Sequence, residues 1–184
     1  MSFQPSSSAI QIFLKELDQS IALQSSATGK TKHHVEEPSS GIPAEQVAYD
    51  YLLEHGNTID WSQYTPDVVE QGASGRYGRV RLGIGALTGI ELVLVRVPPH
   101  SQGAIHRHSH CGWAVVLVLE GIEENTLYKE VNNNVKEIGK RTYGAGEILA
   151  LSEDMLHEIS SAHGSLSLHV YSEAQNESCG AEAR

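Results

Sequence analysis

The chain has 184 residues, a length that fits one domain with a single core. Its 13 basic and 23 acidic side chains give a formal net charge of −10. Because phosphates would be repelled, this balance argues against an unaided nucleic-acid binder or a protein bound to an anionic membrane. We expect small or neutral partners, and a monomer or small homo-oligomer.

Cysteine content and apolar runs bear on the compartment. Cys111 and Cys179 are too few for a disulfide scaffold and lack the paired spacing of a zinc site. The longest apolar run, residues 113–119, is too short to span a membrane, and the first residues show neither a basic region nor an apolar signal core. We therefore expect a cytoplasmic protein.

The first 75 residues predict two or three helices and a linker. Apolar residues recur at three- and four-residue steps over residues 9–23, which predicts an amphipathic helix. Residues 24–41 are polar and without an apolar period, so they predict a flexible linker. A second helix is predicted over residues 44–55, with Pro43 as its first residue and Gly56 ending it in a left-handed conformation.

From residue 76 onward, short runs rich in β-branched residues alternate with Gly, Pro or Asn clusters, which predicts strands joined by turns. Their number and spacing predict an antiparallel barrel or sandwich. Residues 132–134, all asparagine, fit a hairpin turn. We expect one structural domain in which residues 1–75 pack on a barrel formed by residues 76–184. The predicted strands are 76–82, 90–97, 103–108, 113–120, 124–129, 135–141, 147–150, 157–161 and 165–172.

His106 and His108 are the first candidate site residues. Residues two apart in a strand point to the same face, here the expected barrel interior. With His157 at the start of another predicted strand, three neutral imidazoles would hold a divalent metal and leave positions open for ligands. A single buried histidine is more often satisfied by hydrogen bonds, but a His-x-His pair favours a metal. His110 is expected at the rim. Three further histidines are expected to be only solvated: His33, His34 and His55.

The segment from Ser167 to Tyr171 is the second candidate. Its polar side chains, Ser167, His169 and Tyr171, alternate with apolar ones and share one face. Facing outward, they would belong to an ordinary half-buried strand. Facing inward, they would form a hydrogen-bonded row in which the histidine holds the tyrosine for donation. Periodicity leaves both orientations open.

Together these stretches resemble the thiol dioxygenase family, iron enzymes of the cupin superfamily whose best-known member is cysteine dioxygenase. The resemblance runs from about Arg76 to Tyr171 and implies a mainly β fold, a cupin-type antiparallel jelly-roll barrel preceded by helices. The matching stretches are Ile105-His106-Arg107-His108, the sequence GIEENTLY from Gly121 to Tyr128, Leu156-His157-Glu158-Ile159, and Ser167-Leu168-His169-Val170-Tyr171.

The resemblance implies that His106, His108 and His157 bind ferrous iron and that the serine, histidine and tyrosine of the last stretch form a relay beside it. It also implies oxidation of a small carboxylated thiol, such as L-cysteine or 3-mercaptopropionate, to a sulfinic acid with O2. Cupins usually carry a glutamate ligand close to the position of Ala114. An all-neutral ligand set keeps the full charge of the ion and favours a deprotonated thiol.

The family holds the substrate carboxylate with an arginine in a Tyr-x-Arg motif, which Tyr77-Gly78-Arg79 resembles. A shift of one residue leaves Arg81 possible, and Trp113 is expected to line the substrate pocket. A planar guanidinium can take a carboxylate through two parallel hydrogen bonds. The alternative is that either arginine is an exposed residue of the barrel rim.

One departure from the family concerns Tyr171. Animal-type cysteine dioxygenases cross-link this tyrosine to a cysteine whose position here is Ala114. We therefore expect a free Tyr171, with Cys111 pointing elsewhere and both cysteines as bystanders. A Trp followed by a small residue, as in Trp113-Ala114, resembles the bacterial branch that includes 3-mercaptopropionate dioxygenases, so cysteine is not the only candidate substrate.

Two other functions stay open at the level of sequence. The same site in a cupin could run another reaction, such as isomerisation or oxygen-dependent carbon–carbon cleavage, with zinc, manganese or nickel. A cupin with structural histidines could instead bind a small ligand without catalysis. Metal analysis distinguishes a cupin enzyme that uses another metal from an iron enzyme. A solvent-facing Tyr171 would favour the cupin that binds a ligand without catalysis.

Overall fold

The computed structural model describes residues 8–27, 42–65, 69–70, 76–108, 111–132 and 134–172. Two α-helices, α1 (Ser8–Ala27) and α2 (Ala44–His55), and a 3-10 helix at Trp61–Tyr64 precede the strands. The strands are β1 (Val69–Glu70), β2 (Arg76–Ile84), β3 (Glu91–Val97), β4 (Ser101–Gln102), β5 (Trp113–Val131), β6 (Asn134–Gly144), β7 (Ile148–Ser152), β8 (Leu156–Ser161) and β9 (Ser165–Tyr171).

The helices agree with the sequence except at their ends. Helix α1 reaches Ala27, so the predicted linker was wrong at its first residues, and the rest of that linker lies outside the described residues. Pro43 is the residue before α2, with an extended ψ of 144°, rather than its first helical residue. Gly56 is right-handed (φ −59°), so the predicted left-handed ending was wrong. A Cβ at Gly56 would overlap the Leu117 side chain, so glycine here permits the close approach of α2 to the sheet.

Strand β5 organises the antiparallel sheet. Its first half pairs with β7 and β9, its second half pairs with β6 and β8, and the strand order is β1-β2-β3-β9-β5-β8-β4. At the junction Gly121 has φ 75°, and the Gly164 carbonyl oxygen stands where a Cβ would lie. Only glycine fits that position without strain. The bend brings the two halves of the sheet to face each other.

Some strand predictions differ from the structure. Residues 113–120 and 124–129 belong to one continuous strand, because the chain passes through Gly121 without leaving the sheet. Residues 103–108 are not a regular strand: β4 covers only Ser101–Gln102, and an isolated bridge joins His106 to His157. The hairpin prediction is confirmed, since Asn132 has φ 52° and Val131 pairs with Asn134 across the turn.

The sheet formed by β3, β9 and the first half of β5 is buried on both faces. One face packs against α1 and α2 and includes Leu92, Leu94, Leu166, Leu168 and Val170. The opposite face lines the barrel interior and includes Val93, Val95, Ala114, Val116 and Tyr171. Because side chains alternate along a strand, the helices determine which residues of each strand point inward.

The expected mainly β antiparallel fold with N-terminal helices is confirmed, with two α-helices in the described residues. The helices pack on the outer face of the sheet and share one apolar core with it. Neither described helix is long and apolar enough to cross a bilayer.

Replacing Leu168 with alanine tests this packing. Leu168 is fully buried between β9 and the helices, so Leu168→Ala should lower the free energy of unfolding by about 2–5 kcal/mol. The matched control is Ile138→Ala on β6, where the side chain is 55% exposed and the loss should be below about 0.5 kcal/mol. Urea unfolding measures both, and similar losses in the two variants would contradict the helix-on-sheet core.

Candidate metal centre

Three imidazoles converge at the open end of the paired strands. His157 lies on β8, and His106 is bridged to it by two backbone hydrogen bonds of 2.9 Å. His108 follows two residues later, so its ring reaches the same space. One ligand nitrogen from each ring lies within 4.8 Å of the others. His157 is fully buried, His108 is 7% exposed and His106 is half-buried.

Hydrogen bonds orient two of these rings. His106 Nδ1 lies 2.9 Å from the Ala104 carbonyl oxygen, and since a carbonyl only accepts, Nδ1 carries the proton. His157 Nδ1 donates in the same way to Asn125 Oδ1 at 2.8 Å. Each Nε2 therefore keeps its lone pair, which is how ligand histidines are held in metal proteins.

The donor set fits a divalent ion. His108 Nε2 and His157 Nε2 lie 3.1 Å apart. With metal–nitrogen bonds of about 2.0–2.1 Å, two nitrogens bound at near-right angles lie about 3 Å apart. Imidazole nitrogen suits iron, zinc, copper and nickel, so the cluster does not select one of these ions.

Burial keeps the three rings neutral. Desolvation, followed by the charges of His106 and Arg79, lowers the pKa of His108 to about 3. Burial is likewise the largest cause that lowers the pKa of His106 and, far more strongly, of His157. Neutral imidazole is the form that binds a metal, so no proton has to leave these rings at pH 7.

The polar residues of β9 face inward, which settles the orientation that periodicity left open. Leu166, Leu168 and Val170 occupy the helix side. Ser167 Oγ lies 2.9 Å from His169 Nε2, and His169 Nδ1 lies 3.0 Å from Tyr171 Oη. The Tyr171 ring lies 5.2 Å from the His108 ring. The Ser167–His169–Tyr171 row, hereafter the relay, thus ends beside the histidine cluster.

The relay is neutral as well. Burial is the largest cause that raises the pKa of Tyr171, so its hydroxyl keeps the proton at pH 7. Burial, followed by the charges of His108 and Arg79, holds the pKa of His169 well below its usual value. A neutral imidazole donates from one ring nitrogen and accepts at the other. The hydrogen bonds of the relay can therefore run from Ser167 toward Tyr171 or from Tyr171 toward Ser167.

Arg79 and Arg81 both project from the inner face of β2. Both contact Glu91, a fully buried carboxylate on β3: Arg79 Nη2 lies 3.4 Å from Oε2, and Arg81 Nε pairs with Oε1. The Arg79 guanidinium also lies 5.8 Å from the centre of the Tyr171 ring. Of the two, Arg79 is the one whose charge acts on His108, His169 and Tyr171.

Trp113, which the sequence predicts to line the substrate pocket, is half-buried and packs against the helix-side core. Ala114 takes the inward position at the start of β5. The expectation that Cys111 points away from Tyr171 was wrong. It is a buried thiol in the same inner cluster, and after burial its proximity is among the causes that raise the pKa of Tyr171.

Other sequence candidates lie away from the cluster or outside the described residues. His55 is on α2, where its ring lies 4.6 Å from the Tyr51 ring, and its side chain is 41% exposed. The predictions for four residues fall outside the described part of the chain: His33, His34, His110 and Cys179.

Three site residues were missed at the level of sequence: Glu91, Glu123 and Asn125. Each lies on an inner face and is at most 2% exposed. Glu123 and Asn125 fall in the acidic run after Gly121, which is typical of a solvated strand. The available signal was their spacing of two, which puts both side chains on one face of β5.

No known family model matches the chain. Three solved structures illustrate its similarities. KdgF from Halomonas sp. matches at 17% identity and a TM-score of 0.46, over 59% of this chain and 89% of that one. An oxalate oxidase in complex with the substrate analogue glycolate matches at 14% identity and a TM-score of 0.45, over 57% of this chain and 54% of that one. An RmlC-like cupin from Shewanella frigidimarina matches at 15% identity and a TM-score of 0.43, over 62% of this chain and 89% of that one. Each named activity belongs to its own protein.

Removing one imidazole tests the cluster. His157→Ala should weaken binding of Co²⁺ more than about 100-fold, because it deletes the most buried nitrogen ligand of the three. The control, His163→Ala, removes an exposed histidine in the turn between β8 and β9 and should leave affinity unchanged. Chelator competition measures both, and equal affinities in the two variants would contradict the site.

Proposed function

We propose that this protein is an iron-dependent thiol dioxygenase that converts a small carboxylated thiol and O2 into the corresponding sulfinic acid. The observation that supports the proposal most is the relay ending in Tyr171 beside three neutral imidazoles. A metal-free ligand pocket, or a histidine cluster that is only structural, gives no reason to bury a Ser–His–Tyr row there. The reaction is balanced: a thiol RSH and one O2 give RSO2H, with both oxygen atoms on sulfur.

The proposed metal ligands are His106, His108 and His157. Ferrous iron, when bound there, would supply the redox chemistry that joins dioxygen and sulfur. The protein contributes three uncharged ligands, so the divalent charge is not cancelled and favours a thiolate over a thiol. It also contributes an inner surface of valines and Tyr171 that excludes bulk water.

Tyr171 is the proposed hydrogen-bond donor to the reacting oxygen atoms. His169 Nδ1 lies 3.0 Å from Tyr171 Oη. In the direction that we propose, Nδ1 donates to the phenol oxygen, which leaves the phenol proton free to point toward the histidine cluster. Because burial raises the pKa of Tyr171, the hydroxyl remains a donor rather than an anion. A donor placed where negative charge develops typically contributes a factor of about 100 to 1000 in rate.

Arg79 is the proposed anchor for the substrate carboxylate. Its guanidinium lies over the Tyr171 ring, whereas Arg81 is the closer partner of Glu91. A planar guanidinium suits this role because it can hold a carboxylate through two parallel hydrogen bonds. Glu91 then acts by holding both arginines on the inner face. We place the reaction in the cytoplasm, where Cys111 stays a thiol.

Oxygen consumption tests the function directly. After anaerobic loading with ferrous iron, L-cysteine, 3-mercaptopropionate or mercaptosuccinate should trigger O2 uptake with formation of the sulfinic acid, read by mass spectrometry. Tyr171→Phe should lower kcat about 100-fold while iron content is unchanged. Iron-loaded protein that consumes no O2 with any of the three thiols would contradict the proposal.

The two arginines provide a matched pair for the anchor. Arg79→Ala should raise KM for the carboxylated substrate about 10- to 100-fold, because a charged hydrogen-bond partner is lost. Arg81→Ala should raise it less. With cysteamine, which has no carboxylate, the difference between the two variants should vanish. A larger effect of Arg81→Ala would assign the anchor to Arg81.

A further inference from the structure

Glu123 is a fully buried carboxyl group that the proposed reaction does not use. Its Oε1 accepts a hydrogen bond of 3.0 Å from Asn125 Nδ2. Its Oε2 is buried and has no hydrogen-bond partner in the described part of the chain. Such a group in an apolar interior costs several kcal/mol if charged, so its presence requires a physical account.

Glu123 lies between the histidine cluster and the relay. On the side of the histidine cluster, its partner Asn125 accepts a 2.8 Å hydrogen bond from His157. On the other side the Ser167 hydroxyl approaches the carboxyl, without reaching hydrogen-bond geometry, and continues to His169 and Tyr171. The Tyr171 and His157 rings both contact the His108 ring. The two sets of contacts that begin at Glu123 therefore meet again at His108.

The contacts of Glu123 suit a carboxylic acid better than a carboxylate. A carboxylate needs donors at both oxygens, and here only Oε1 has one. Burial raises the pKa of Glu123, against the Ser167 and Asn125 contacts that lower it, and no lysine or arginine contributes to the shift. With a proton on Oε2, the same oxygen becomes a donor, and the nearby Ser167 hydroxyl is able to accept.

We propose that Glu123 is a positioning residue that remains a neutral carboxylic acid and sets the hydrogen-bond direction on both sides of the site. It accepts at Oε1 from Asn125, which turns the Asn125 oxygen toward His157. It donates from Oε2 to Ser167, which then donates to His169. The inference rests on the proposed function for the role of Tyr171, and on the histidine cluster alone for the role of His157.

Each direction has a consequence for the site. On the metal side, an Asn125 oxygen facing His157 forces the proton onto Nδ1 and leaves Nε2 for the ion. On the relay side, a serine that donates to His169 Nε2 forces the imidazole proton onto Nδ1, where it is donated to Tyr171. The phenol proton is then free for the pocket. A charged Glu123 would instead accept from Ser167 and reverse this row.

Two substitutions of Glu123 and one control separate this role from a merely structural one. Glu123→Gln mimics the neutral acid, since its oxygen accepts from Asn125 and its amide donates to Ser167. Glu123→Leu keeps the bulk but removes both contacts. The control, Glu124→Gln, changes the neighbouring carboxylate, which lies on the other face of β5 and pairs with Lys140 at the surface.

Infrared spectroscopy at pH 7 reads the proton without metal or substrate. The carbonyl stretch of a protonated carboxylic acid should be present in the wild-type protein and in Glu124→Gln, and missing from Glu123→Gln. Wild-type protein without this band would overturn the inference, whether or not the protein oxidises thiols. The measurement needs only the Gln variants, so it stands even if Glu123→Leu fails to fold.

Metal affinity and kcat complete the test. Glu123→Gln should keep both within about twofold of wild type, whereas Glu123→Leu should lose about 10- to 100-fold in Co²⁺ affinity, in kcat, or in both. An equally large loss in Glu123→Gln would show that a carboxylate charge is needed and would overturn the inference. Normal Co²⁺ affinities with no thiol oxidation in any variant would refute the proposed function and leave the metal-side role intact.

Discussion

Burial of both faces of one sheet is the constraint on which the site depends. Strands β3, β9 and the first half of β5 place one set of aliphatic side chains under the helices. Because the period of a strand is two, the remaining side chains have to face the barrel. On β9 these are Ser167, His169 and Tyr171, so packing of the helices on Leu166, Leu168 and Val170 turns a polar row inward.

Polar groups buried inside a barrel need hydrogen-bond partners, and here most of these partners are other uncharged groups. The histidines use a backbone carbonyl and an amide as acceptors, and the relay uses a hydroxyl and a phenol. The charged exception is Glu91, which is held between two guanidinium groups. This separation places a neutral cluster of imidazoles next to two guanidinium groups.

Sequence reasoning identified the elements whose signals are local. Residue types and spacing were enough for the apolar period of α1, the bounds of α2, the hairpin at Asn132 and the grouping of His106, His108 and His157. They were not enough for the orientation of β9, because an alternating pattern is the same for either face and the choice depends on a helix layer distant in the chain. The position of Trp113 depends on the same choice of face: one residue of register separates it, on the helix side, from Ala114, which faces inward.

Side-chain contacts between residues distant in the chain could not be predicted either, because they depend on how the strands pair. Glu91 is recognisable as part of the site only when β3 is paired with β2, since its partners are 10 and 12 residues away. Asn125 reaches His157 across 32 residues. An acidic run such as the one containing Glu123 is ordinarily exposed, and its burial depends on how sharply β5 bends at Gly121.

X-ray absorption spectroscopy of the ferrous protein counts the imidazoles on the ion independently of any assay. Three histidine rings should contribute to the scattering in the wild-type protein and two in His157→Ala, and a sulfur neighbour should appear when a carboxylated thiol is added anaerobically. A wild-type spectrum with fewer than three imidazoles, or one that gains no sulfur with any thiol, would contradict a three-histidine iron site that binds the substrate thiol.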